Sequence, residues 1–341
     1  MIAVEAAGAT SPVGANLTDT LIGLYTRVQL FEDLGVLDEE GEPLSGMKIP
    51  FPNGPAGPER LLAMAHAVVD EATLTIEPSA KIPLLLCLPE ASAFADASPE
   101  WPADLISSVL AQSALPLDPI RSRAIPRGRA GLVEALGAAL GLLKEPTIPY
   151  CLVGGVDSFV DDGRVNALVG DGRVLTVGNK DGYVPGEAGA MLLLTNRPSP
   201  GALARWLGAA AGNEDACRGS DGPITGAGLQ EAMAKALSQA KLDFDGLDCL
   251  AHDFSGEQRY FEELLLATPR LSRGRASNAV EVPAVSTGET GAAAGFLAVV
   301  MLAFLHSKAV HKRASMAVLS SDGPERGAVV LGAHRAAIER R

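Results

Sequence analysis

Aromatic side chains are scarce in this sequence, at 4% of 341 residues, whereas alanine and glycine abound. Helices and sheets built from small residues can approach closely, so tight layering is expected. Cysteine is sparse as well. Cys87, Cys151, Cys217 and Cys249 form no CxxC pair, and none has histidines at metal-ligand spacing. That excludes a zinc site or a disulfide framework legible from spacing. Cys87, Cys151 and Cys249 fall in apolar, strand-like runs, where a buried inert thiol is the usual outcome. Basic residues number 28 against 41 acidic ones, and the net charge of −13 argues against nucleic acid as a partner. No apolar run reaches the roughly 20 residues of a membrane span. The opening Met1-Ile2-Ala3-Val4-Glu5 has strand character and no basic leader. No membrane association, cofactor or metal is expected, and a reducing cytoplasm is the expected location.

What the chain has is core. Hydrophobic residues make up 47% and charged residues 20%, the balance of a well-packed globular protein. From Ala292 to Leu305 there is no polar side chain. A helix that is apolar all round must be buried on every side. It is entered through Ser286-Thr287-Gly288-Glu289-Thr290-Gly291, with Glu289 at its mouth. A carboxylate there either caps the helix or belongs to a pocket, since unpaired N–H groups and the helix dipole favour it. A second such place is Gly128-Arg129-Ala130-Gly131, which opens a mostly apolar Gly/Ala-rich helix running to about Lys144. Two matching buried helices point to two similar halves, 1–160 and 161–341, forming one compact unit.

Between these landmarks, helical periodicity covers 17–30, 61–73, 102–113, 226–240 and 257–267. Strands are expected at 2–7, 82–88, 150–153, 190–194, 205–211 and 247–252, with a hairpin over 315–331. Residues 31–58 read as a long surface excursion rich in Gly, Pro and acids, and the charged tail 335–341 as frayed. Alternating strands and helices predict an α/β fold with parallel sheets covered by helices. In such folds ligands bind beyond the carboxyl ends of the strands. His252, Arg129 and Glu289 are expected to converge there.

Five segments in order then resemble the β-ketoacyl synthases of the thiolase superfamily, over nearly the whole chain. They are Ala7–Gly14, Val153–Ser158, Lys180–Met191, Leu250–Gly256 and Gly288–Gly295. The last is similar to that family's Gly-His-x-x-Gly-Ala-Ala-Gly, and Leu250-Ala251-His252 to its Ala-His-Gly-Thr loop. The resemblance implies a thiolase-like α/β fold, with stacked mixed sheets around two buried helices. It also implies a Cys nucleophile at the first buried helix, two His and a Lys. Counting back from Gly154-Gly155 places Arg129 at the Cys position, and 127–143 contains no Cys. The first His is matched by His252, the second position holds Glu289, and the Lys position holds Ala284. Ser321-Asp322-Gly323-Pro324 replaces the family's Gly-Phe-Gly-Gly loop.

An arginine is permanently protonated and cannot be an acyl-carrying nucleophile. A carboxylate at Glu289 repels an oxyanion instead of stabilising it. The expectation is therefore a non-condensing binding or partner subunit resembling a chain-length factor, with Arg129 and Glu289 as an ion pair. The alternative is an acyltransferase or thioesterase on an acyl-CoA or acyl-carrier-protein thioester. In it His252 is general base, Glu289 orients it or a water, and Ser255, Ser286 or Thr287 supplies a hydroxyl; Cys151, mid-strand, is poorly activated. Arg121, Arg123, Arg127 and Arg129 suit an acidic carrier protein, or else a subunit interface or plain surface. By the resemblance the chain is expected to form a homodimer, or a heterodimer with a synthase.

Overall fold

The computed structural model describes residues 1–51, 54–77, 80–274 and 279–334; the tail 335–341 lies outside them. In chain order the elements are β1 (Ala3–Thr10), α1 (Leu17–Tyr25), β2 (Glu32–Leu37), β3 (Pro43–Gly46), α2 (Gly57–Thr73) and β4 (Leu84–Leu88). There follow α3 (Trp101–Gln112), β5 (Arg123–Pro126), α4 (Gly131–Leu142), β6 (Tyr150–Ser158), α5 (Asp162–Gly170) and β7 (Glu187–Thr195). The remainder comprises β8 (Ala204–Asn213), α6 (Ala227–Ala240), β9 (Leu247–His252), α7 (Gln258–Ala267), β10 (Ala279–Glu281), α8 (Ala284–Thr287), α9 (Ala294–Ser307), β11 (Ala314–Ser320) and β12 (Glu325–Gly332).

Strand order shows the duplication directly. One half runs β1-β7-β6-β4-β5 and the other β8-β12-β11-β9-β10, the same permutation of five strands. Pairing directions repeat too. β1–β7 and β6–β7 are antiparallel and β4–β6 and β4–β5 parallel, as are β8–β12, β11–β12, β9–β11 and β9–β10 respectively. The sheets are thus mixed and not parallel throughout: β7 and β12 each return as an antiparallel strand. The halves join edge to edge at Ala3↔Arg205 and Val4↔Ala204, making one ten-stranded sheet. β7 closes the first repeat, so the strand repeat divides between Thr195 and Ala204 and not at residue 160.

Three apolar clusters turn this topology into layers. One face of the first half packs on α2 and α3 through residues such as Leu84, Leu86, Met64 and Val109. One face of the second half packs on α6 and α7 through Leu250, Met316, Met233 and Tyr260. The other faces of both halves, including Leu85, Val153, Leu192, Leu319 and Leu331, meet α4 and α9 in one central cluster. Every residue of α9 except Phe304 and Ser307 is buried, as its unbroken apolar sequence requires. Each fully buried Leu, Val or Phe there contributes roughly 1.5–3 kcal/mol.

Three local features differ from the sequence pattern. α1 stops at Tyr25 and not near residue 30, because Arg27 adopts a left-handed φ of 55° and Val28 N–H bonds back to Gly23 O. The expected surface excursion contains the β2–β3 hairpin, whose Leu34, Val36 and Leu44 pack against Val165 and Tyr183. β5 and β10 are short edge strands whose polar residues hide them from any apolar-run criterion. Among the described residues no helix is long and apolar enough to cross a membrane.

Candidate functional site

Both buried helices start the same way. A 3-10 turn, Gly128–Ala130, precedes α4, and another, Gly291–Ala293, precedes α9. Each turn begins on a glycine in the left-handed region, φ 51° at Gly128 and 46° at Gly291. The two turns lie against one another. Side chains crowd both glycines: a Cβ would stand 2.4 Å from Glu90 Oε1 at Gly128 and 2.0 Å from Asp157 Oδ2 at Gly291. At the α9 turn the first N–H groups are satisfied by acids. Gly291 N–H donates to Glu289 Oε1 at 2.7 Å, and Ala292 N–H to Asp157 Oδ2 at 2.9 Å. Glu289 therefore caps the helix, as the unpaired N–H groups of a helix start favour, and it also lines a cavity.

Arg129 sits on the facing turn, with its side chain only 8% exposed. Its Nη1 lies 3.7 Å from Glu289 Oε2 and its Nη2 3.6 Å from Asp253 Oδ1. Nη2 also donates to the Asp253 backbone carbonyl. The guanidinium lies 5.1 Å from the Tyr260 ring centroid, within cation–π range. Burial alone would lower its pKa, but Glu289, Asp253 and Tyr260 outweigh that and hold it above the usual arginine value. Burial pushes the Asp253 carboxyl up to about 6, against the pull of Arg129 and the N–H of Ser320.

His252 ends β9, as expected, but it faces aromatics. Its ring stacks on Phe254 at 4.3 Å and meets Phe261 edge-on at 5.4 Å. It is 2% exposed, its Nδ1 has no hydrogen-bond partner, and it is not among the cavity-lining residues. Burial, reinforced by the charge on Arg129, brings its pKa down to about 4. Ser255 donates its hydroxyl to Glu289 Oε2. Ser286 donates to Gly23 O and Thr287 to the carbonyls of Pro283 and Gly288, so both hydroxyls serve the backbone. Cys151 is fully buried, with its thiol pushed up to about 12 by burial, and Cys87 is shifted up in the same way. Ala284 starts α8 and takes no part in the cavity lining.

The other arginines of the basic segment are about half exposed and already have partners, Arg127 at the cavity rim. Arg121 pairs with Asp118 and Glu145, Arg123 with Glu134, and Arg127 with Glu134 and Glu325. They are 41–52% exposed, where such pairs contribute little to stability.

Beside the two turns lies a cavity of about 600 Å³, lined by Arg129, Glu289, Arg164, Arg173, Asp322 and Tyr183 among others. Its wall is a charge network. Arg164 Nη1 donates to Asp157 Oδ1 at 2.5 Å and sits 4.0 Å from the Phe159 ring centroid. Arg173 forks onto Glu257, at 3.1 and 2.7 Å, and reaches Asp322 at 2.6 Å. Tyr260 donates to Asp322 at 2.5 Å. Burial would raise Asp322, but Arg173 overrides it and holds the carboxyl at about 2. Sequence reasoning missed Asp253, Tyr260, Arg164 and Arg173 as members of this site. Asp253 follows His252 directly, and that adjacency was the available signal; the arginines are dispersed along the chain and carry none. Among the described residues no group of three or more His, Cys, Asp or Glu is placed to hold a metal.

No family model matches the sequence. A curated relative, the actinorhodin polyketide beta-ketoacyl synthase 2 of Streptomyces coelicolor, is 32% identical over 194 residues, 52% of this chain and 47% of that protein. The match thus spans about half the length of the curated relative. Among solved structures, one described as a type II PKS acyl-carrier protein in complex with its ketosynthase superposes with a TM-score of 0.79 at 15% identity. It covers 98% of this chain and 99% of that one. The ishigamide ketosynthase/chain length factor gives 0.76 at 14% identity, with 98% and 99% covered. A Streptomyces albus ketosynthase domain gives 0.76 at 14%, covering 98% and 75%. The chain has the thiolase-like fold of these ketosynthases, and its sequence resembles a β-ketoacyl synthase.

Proposed function

We propose that this chain is a non-condensing subunit that resembles a chain-length factor and works by pairing with an active synthase. The carrying observation is the turn before α4. A guanidinium stands where the resemblance places a thiol, clamped between Glu289, Asp253 and the Tyr260 ring. No thiol lines the adjacent cavity among the described residues. A covalent acyl step needs an activated nucleophile, and the Ser255 hydroxyl is committed to Glu289. The resemblance to a ketosynthase/chain length factor supports the partner role, and the carrier-protein complex of another neighbour makes an acyl carrier protein a candidate contact.

The thioesterase or acyltransferase reading fares worse on His252. An imidazole held at about 4 and packed on Phe254 and Phe261 is a weak, poorly placed base at neutral pH. The test is intact-mass analysis after incubation with acyl-CoA and acyl-loaded carrier protein, with thioester hydrolysis followed in the same tube. The expected result is no adduct and no hydrolysis dependent on His252. A stoichiometric acyl adduct, or hydrolysis abolished by His252→Ala, refutes the proposal. Co-expression with a synthase should then yield a 1:1 heterodimer by sizing; a chain that only self-associates would leave the homodimer as its assembly.

A further inference from the structure

We propose that the first turn of α4 and the Arg129 guanidinium form a binding site for a single carboxylate, carried by a ligand that enters the adjoining cavity. Three observations lead there. The two helix mouths are equivalent by strand order and by their left-handed glycines, yet they are capped differently. The α9 turn has Glu289 and Asp157 on its first N–H groups. The α4 turn has no side-chain cap, and the N–H groups of Gly128 and Arg129 have no acceptor among the described residues, while Ala130 N–H turns back toward Arg127 in the 3-10 turn. A left-handed residue followed by right-handed ones directs successive N–H groups to one point, a common anion cradle. Gly128, Arg129 and Ala130 all line the cavity.

The second observation is that the guanidinium is under-used. Arg129 is more than nine-tenths buried; Nη2 donates to the Asp253 carbonyl, but Nε has no partner, and the two carboxylate neighbours stand at 3.6 and 3.7 Å, beyond hydrogen-bond distance. By contrast Arg173, on the same cavity wall, makes close contacts of 2.6–3.1 Å. A planar carboxylate matches the guanidinium fork and gains a strong, charge-assisted pair.

The third observation sets the charge. Glu90 stands over Gly128, and Glu289 and Asp322 share the cavity wall. A dianion would meet all three, which favours one negative charge over two. The cavity's volume of about 600 Å³ leaves room for a larger body behind the carboxylate.

This inference stands apart from the partner role, because its test uses free acids and no synthase. Saturation-transfer NMR on the intact protein would compare propionate, propionamide and inorganic phosphate. The expected outcome is saturable propionate binding with a Kd in the range of about 1–50 mM, no binding of propionamide, and phosphate weaker than propionate. Arg129→Gln should weaken propionate about tenfold or more. Glu289→Gln removes a competing charge while keeping the acceptor for Gly291 N–H, and should tighten binding several-fold; it covers the case in which Arg129→Gln fails to fold. Equal binding of acid and amide, phosphate binding more tightly than propionate, or an affinity unmoved by Glu289→Gln would overturn the proposal.

Discussion

Replacing Arg129 by leucine is the sharpest test of how the site is held together. The substitution conserves bulk and deletes the charge. Glu289 and Asp253, at 3% and 1% side-chain exposure, then lose their shared cation. Glu289 keeps the Gly291 N–H and the Ser255 hydroxyl, and Asp253 keeps the Ser320 N–H. Breaking one side of a buried pair costs about 3–5 kcal/mol because a charge is stranded. At pH 8 Arg129→Leu should lose about that much in urea denaturation. The loss should shrink towards pH 5. Asp253 already sits near 6 through burial, and without the arginine its folded-state pKa rises further, so it takes up a proton on mild acidification. A group whose folded pKa is raised stabilises the fold below its unfolded pKa and loses that contribution as pH climbs through the folded value. The pH dependence of Arg129→Leu must therefore slope opposite to that of an ordinary salt-bridged acid. A cost under about 1 kcal/mol, or a cost flat from pH 8 to 5, would show that the guanidinium is solvated and the clamp is not real. In a cycle with Glu289→Gln, the double mutant should cost less than the sum by about 0.5–3 kcal/mol.

Three further outcomes are expected. Glu187→Ala should cost about 3–5 kcal/mol in denaturant titration, since that fully buried carboxylate accepts from Arg60, Ser158 and the Ile49 N–H. Gly291→Ala should destabilise by at least about 1–3 kcal/mol, with φ at 46° and Asp157 in the way, whereas Gly137→Ala, where a Cβ meets only open space, should be neutral or slightly stabilising. His252 and His306 are both held at about 4 by burial. Their folded pKa values are depressed, so stability present above about 6.5 is lost as pH falls towards 4, by up to about 3 kcal/mol each. Asp253 opposes this over roughly pH 4–6, and Asp253→Asn should make acid unfolding steeper when followed by circular dichroism.

The buried helices, the strand alternation and the convergence of Arg129 with Glu289 were legible because each leaves a local mark. The run Ala292–Leu305 can only be a helix buried all round, and a charged residue at a Gly-rich helix mouth announces its own position. Edge strands β5 and β10 left no such mark. Their hydrogen bonds are set by neighbours far along the chain, and arginine and glutamate occupy their ends. The surface hairpin β2–β3 was hidden for a related reason: only three of its residues are apolar and buried, and they pack on partners more than a hundred residues away. The role of His252 was legible in position but not in environment. The sequence pattern places it at a strand end; only the folded packing of Phe254 and Phe261 around it turns a candidate base into a neutral packed ring.

The separation between core and site lets this fold hold a buried charge network at its two central helix mouths. The cluster around α4 and α9 is apolar and complete without Arg129 or Glu289. A thiol and two imidazoles, as the resemblance implies, would be nearly neutral groups and would leave the helix mouths without buried charge. Placing a guanidinium there instead carries a desolvation cost of several kcal/mol, which its surroundings must offset. Here they do so locally. Glu289 serves the α9 N–H groups and Arg129 at once, Asp253 adds a second carboxylate, and Tyr260 presents its ring face while its hydroxyl is fixed by Asp322. Asp322 in turn is anchored by Arg173. The charges are coupled into one network spanning β9, α7, the α9 turn and the loop before β12, so the pieces stand or fall together. Introducing a cysteine at position 129 alone should therefore destabilise the fold without conferring acyl transfer: Glu289 and Asp253 would stay behind, stranded, beside a thiol whose ionisation they oppose.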